Sequence, residues 1–88
     1  MILTAKDLPS RATDAEIQRD ARSILNVLLA FGPAACPKYH HPNALHRLVM
    51  GRVIVADGWE RVGSESRRRF RIADKARALA IVAGEARA

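Results

Sequence analysis

Arginines stand at positions 67, 68, 69 and 71, in the run Ser64-Glu65-Ser66-Arg67-Arg68-Arg69-Phe70-Arg71. A guanidinium is a planar fork of donors that matches phosphate oxygens and the guanine edge, and it stays charged at any physiological pH. The hydroxyls of Ser64 and Ser66 can also donate to phosphate. Such residues suit the gripping of a polyanion backbone, and arginines in a narrow minor groove do the same work. A second group upstream comprises Asn43, His46, Arg47 and Arg52. Asparagine can pair with the adenine edge and arginine with guanine, so these four form a candidate base-reading surface. The bland alternatives are a solvated hairpin tip for the first group and an ordinary exposed helix face for the second.

Other constellations carry less. Cys36, His40, His41 and His46 are residue types that bind zinc, but their spacing fits no familiar finger, so no metal site is expected. Asp14, Glu16 and Asp20 crowd the start of a helical stretch, where carboxylates favour the helix dipole. There is no Gly-rich phosphate loop and no nucleophile motif, so neither an enzyme nor a cofactor is expected. Trp59 invites base stacking, but a large ring just after a turn is expected to seal a core.

Charge sharpens the picture. The 88 residues carry a net +6, and nine of the 15 Lys/Arg lie between Arg47 and Arg77 against four acids. Twelve of the 15 are arginine. The sequence pI near 10.7 predicts attraction to DNA, RNA or an acidic protein, although a GC-rich genome would produce the same arginine bias. Cys36 is the single cysteine, which makes a reducing cytoplasm the expected compartment. No apolar run reaches membrane-spanning length, and Lys6 and Asp7 interrupt any signal-peptide pattern, so no membrane is expected as a partner.

Elements must position these residues. Residues 1–12 read as an arm and 13–88 as one domain. The stretch Thr13 to Phe31 predicts a helix: Thr13 and Glu16 have capping-box spacing, and Ile17, Ala21, Ile24, Leu28 and Phe31 share a face widened by Leu25 and Leu29. Gly32 and Pro33 end it. A proline-rich loop leads to a second helix starting at Pro42 or Asn43. This helix either runs to Ala56, or stops near Gly51 and gives way to a strand at Val53-Ile54-Val55, with Asp57-Gly58 as a tight turn. Trp59 to Val62 and Arg68 to Ile72 predict paired strands around Gly63-Ser64-Glu65-Ser66. Phe70 and Ile72 would face one way, Arg69 and Arg71 the other. Asp74 caps a last helix carrying Ala76, Leu79, Ala80, Val82 and Ala83.

The phrase ADGWERVGSESRRRFRIADKARALA, Ala56 to Ala80, resembles the wing and closing helix of winged helix-turn-helix domains of the MarR/PadR kind. Ala21 to Pro33 is similar to the first helix of that family. The middle departs from the pattern: fewer residues separate Gly32-Pro33 from the second helix than the family's two helices take, and Gly51 falls inside the would-be recognition helix. The resemblance implies a small α+β domain, mostly α, with a β-hairpin wing and a C-terminal helix. It implies a transcriptional regulator that grips double-stranded DNA, with Arg67, Arg68, Arg69 and Arg71 on the backbone and Asn43, His46, Arg47 and Arg52 at the major groove. A homodimer through the first or last helix would then read a palindromic site. The rival expectation is a small protein antagonist of the phage or mobile-element type. It would use the same fold to block a regulator or nuclease, through Ile81 and Val82 and with its arginines against an acidic partner.

Overall fold

Thr13 starts the first helix as its pattern predicts. A computed structural model describes residues 13–35 and 42–88. Helix α1 runs Asp14–Phe31. The Glu16 amide donates to Thr13 Oγ1 at 3.2 Å, and Thr13 N donates to Glu16 Oε1 at 3.3 Å, closing the capping box. Ile17, Ala21, Ile24, Leu25 and Leu28 are buried along its inner stripe. Phe31 leaves that stripe and is 82% exposed, because the helix ends there and Gly32 turns the chain away at positive φ.

Strand β1 (Ala34–Ala35) leads, beyond the undescribed segment, to α2 (Pro42–Met50). Proline suits the first helical position because its missing N–H has no partner to lose there. Ala44 and Leu48 face the core. Of the two readings for the following stretch, the strand holds: β2 spans Ile54–Val62. The helix ends in a Schellman motif. Val53 N donates to Leu48 O and Arg52 N to Val49 O, each at 3.0 Å. The left-handed position of that motif belongs to Arg52, at φ 58, and not to the glycine before it. A non-glycine residue there costs about 1 kcal/mol. Arg52→Gly is therefore expected to stabilise the fold by about 0.5 kcal/mol, after glycine's greater unfolded-state freedom is subtracted. A lower urea midpoint in the variant would mean that the arginine side chain contributes more than its backbone costs.

Strand β3 covers Glu65–Ile72, and helix α3 covers Lys75–Val82 behind its cap Asp74. The antiparallel sheet has the order β1-β3-β2. Three helices and this sheet make a small α+β fold in which helix outweighs strand among the described residues. The two-residue loop between the long strands is Gly63-Ser64, since Val62 pairs with Glu65. Gly63 at φ 64 supplies the positive angle that such a loop needs at its first residue. Asp57-Gly58 is not the turn expected of it. It lies inside β2 as an irregularity between Ala56 and Trp59, a β-bulge that leaves the strand unbroken.

The core gathers Ile24, Leu25, Leu48, Val53, Ile54 and Ile81, each at most 1% exposed. Ile81 is thus interior, which removes it as an anchor for a docking partner; α3 uses it to cover the core. Arg77 Nη1 donates to Gly51 O at 3.1 Å, so a cation from α3 caps the carbonyl end of α2, where the helix dipole favours it. The C-terminal residues return to α1, with Ala88 N donating to Gln18 Oε1 at 2.9 Å. Among the described residues no helix is long and apolar enough to cross a membrane.

Candidate nucleic-acid interface

The long strands outrun the helices. Ile54, Phe70 and Ile72 still reach the core, but no residue from 57 to 69 is buried. This projecting hairpin holds four arginines against Asp57, Glu60 and Glu65. Its net charge is therefore slight, and the distribution of charge between its faces decides what it can bind.

Register settles that distribution. Trp59 is opposite Arg68, Glu60 opposite Arg67, Arg61 opposite Ser66, and Val62 opposite Glu65. Opposed residues share a face, and faces alternate along a strand. One face therefore carries Trp59, Arg61, Ser66 and Arg68, with no carboxylate. It continues the face that Phe70 and Ile72 turn to the helices. The other face carries Asp57, Glu60 and Glu65 with Arg67, Arg69 and Arg71, and its charges cancel. Contacts agree with the register. The Arg68 guanidinium lies 4.6 Å from the Trp59 ring centroid, in cation–π geometry. Arg69 Nη2 lies 3.8 Å from Asp57 Oδ2 on the opposite side, while Arg69 Nε is buried without a hydrogen-bond partner.

The arginine run is thus divided. Ser66 and Arg68 lie on the acid-free face, and Arg67, Arg69 and Arg71 on the balanced one. Ser64 sits exposed in the turn. Trp59, expected to seal the core, is 61% exposed, because the helices stop covering the sheet before reaching it. Arg61 joins this face although it is not among the sequence candidates, and so does Trp59, for which the sequence favours a place in the core over base stacking. Their spacing of two residues, repeated in Ser66 and Arg68, is the signal for it.

The α2 group is also divided. Asn43 and His46 are exposed on the helix, and Arg52 is exposed just beyond it. Arg47 is engaged: its Nη1 donates to Asp14 Oδ1 at 2.8 Å, tying α2 to the start of α1. Arg87 pairs with the other oxygen of Asp14. The Arg47 hydrogen bond, aided by the Arg87 charge, holds the Asp14 carboxyl below the usual aspartate value. A carboxylate lowered in the folded state gives stability that is present above its unfolded pKa and lost as pH falls through the folded one. The destabilisation caused by Asp14→Asn at neutral pH is therefore expected to shrink towards zero below the usual aspartate range, as read from urea midpoints at the two pH values. An undiminished effect in acid would assign Asp14 an uncharged role. Val49 and Met50, 37% and 68% exposed, make the end of α2 apolar.

Of the possible metal ligands, Cys36, His40 and His41 lie outside the described residues, as does the arm of residues 1–12. Among the described residues no group of His, Cys, Asp or Glu gathers to hold a metal. Comparison with family models, with curated proteins and with solved structures gives no match.

Proposed function

We propose that this chain is a DNA-binding transcriptional regulator of winged helix type, without enzymatic activity, which grips duplex DNA with its β2–β3 hairpin and approaches a groove with α2. The acid-free hairpin face carries the reading: Arg61, Ser66 and Arg68 offer donors to phosphate on a projecting element with no carboxylate among them. The order helix, hairpin, closing helix supports it, being the order that the resemblance of residues 56–80 implies. Asn43, His46 and Arg52 are the groove-side candidates, and Arg47 joins them only by leaving Asp14. A homodimer suits the exposed Phe31 and Leu79 on the first and last helices, 82% and 49% exposed. The test is fluorescence anisotropy with a random-sequence duplex at two salt concentrations. Affinity that falls steeply with salt is the expected result, because each neutralised phosphate releases counterions. Absence of binding at low salt would end the DNA reading.

One observation favours a second reading, in which the chain binds and blocks another protein. The exposed Val49 and Met50 put apolar surface where a groove-reading helix needs polar groups. A stoichiometric protein partner whose capture survives nuclease treatment and is lost on Met50→Asp would favour that reading.

A further inference from the structure

Trp59 is the only tryptophan in the chain, and it stands well out in solvent. Arg68 covers one side of the indole, with its guanidinium 4.6 Å from the centroid, and the residue as a whole is still 61% exposed. Arg61 and Ser66 share the same face of the hairpin, one pair further towards the turn. An exposed π-surface beside two guanidinium groups and a hydroxyl, with no carboxylate on that face, matches a ligand that offers a flat ring and phosphates together.

Duplex DNA does not offer that combination. Its bases cover each other's planes and show only edges in the grooves. An unpaired nucleotide exposes both its ring face and its phosphate, and proteins that bind single strands combine basic surface with aromatic side chains on which bases stack. We infer that Trp59, Arg61, Ser66 and Arg68 form a stacking site for an unpaired base of a single-stranded nucleic acid. The ring takes the base on the side away from Arg68, and the two arginines and the serine take the flanking phosphates. Selectivity among bases is low, since every base has a π-face. The inference rests on the part of the proposed function that assigns a nucleic acid as partner, and it adds a second ligand, an unpaired strand, that the same hairpin face takes beside the duplex.

Because Trp59 is the sole tryptophan, its fluorescence reports on this site alone. The experiment titrates the full chain with a short oligothymidylate, an abasic phosphodeoxyribose oligomer of equal length, and a duplex of equal length, following indole emission and, for every variant, the anisotropy of a fluorescent label carried by each ligand. The oligothymidylate is expected to quench emission and to bind roughly tenfold or more tighter than the abasic oligomer. Trp59→Leu, a change at an exposed position, is expected to remove that advantage, so that the oligothymidylate binds no more tightly than the abasic oligomer. Equal binding of the oligothymidylate and the abasic oligomer would overturn the inference. So would a Trp59→Leu chain that keeps the preference. If the duplex still binds with strong salt dependence in either case, the duplex reading stands and only the stacking site falls. If none of the three ligands binds, both readings fall together.

Discussion

Replacing Arg61 and Arg68 together by glutamine is expected to weaken duplex binding about tenfold or more at moderate salt. It is also expected to lower the slope of log affinity against log salt by about 2, one for each phosphate that is no longer neutralised. Replacing Glu60 and Arg67 by glutamine is expected to change neither quantity. That pair lies opposite in the register, on the face where charges cancel, and its removal leaves net charge unaltered. The first double variant removes two positive charges, so it needs a matched control. Arg19→Gln with Arg22→Gln makes the same change on α1. If the hairpin arginines touch phosphate directly, the α1 variant binds much more tightly than the hairpin variant. Equal weakening would mean that only overall charge matters and that the two hairpin faces do not differ as partners for phosphate. Undiminished binding in the hairpin variant would move the phosphate-gripping surface to another element.

Leu48→Ala is expected to have the largest effect on stability, about 2–5 kcal/mol. Leu48 is fully buried, and it stands where α2 ends and the chain turns into β2. Its side chain packs in the core with Val53, while its carbonyl accepts the Val53 amide that closes the Schellman motif. Truncation opens a cavity at the joint between the helical layer and the sheet. A domain of this length has roughly 5–10 kcal/mol in total, so one substitution removes a large fraction. With about 4–8 °C per kcal/mol for domains near this size, the melting temperature should fall by more than about 8 °C. Thermal unfolding followed by circular dichroism measures it, beside Val49→Ala at the adjacent, partly exposed position, where a change within about 0.5 kcal/mol is expected. Similar effects at the two positions would mean that α2 is not anchored through Leu48.

The elements legible in the sequence are those whose signals are local and agree. Helix α1 has a capping box, a wide apolar stripe and a terminating Gly-Pro, all within one stretch. The end of α2 is ambiguous in sequence because helical spacing and the β-branched run Val53-Ile54-Val55 compete there, and tertiary packing decides for the strand. Asp57-Gly58 misleads outright. That dipeptide favours a tight turn in isolation, but here it forms a bulge, and a bulge inverts parity. Strict alternation from Ile54 would put Glu60 on the helix side of the sheet, whereas the extra residue puts Trp59 and Arg61 there. The exposure of Trp59 depends on where the helical layer ends, which no short stretch encodes. The Asp14–Arg47 and Arg77–Gly51 hydrogen bonds join residues far apart in the chain, so the engagement of two prominent arginines has no local signature.

The absence of buried residues between positions 57 and 69 separates two kinds of selection on one short chain. Substitutions at the hairpin tip can alter recognition without passing through the folding constraint that governs Ile24, Leu25 or Leu48. The tip can therefore diverge quickly among descendants of this sequence, by point change or by exchange of the whole hairpin, while the body stays recognisably the same. Lineages of such a protein would be expected to share their interior and differ in what they hold.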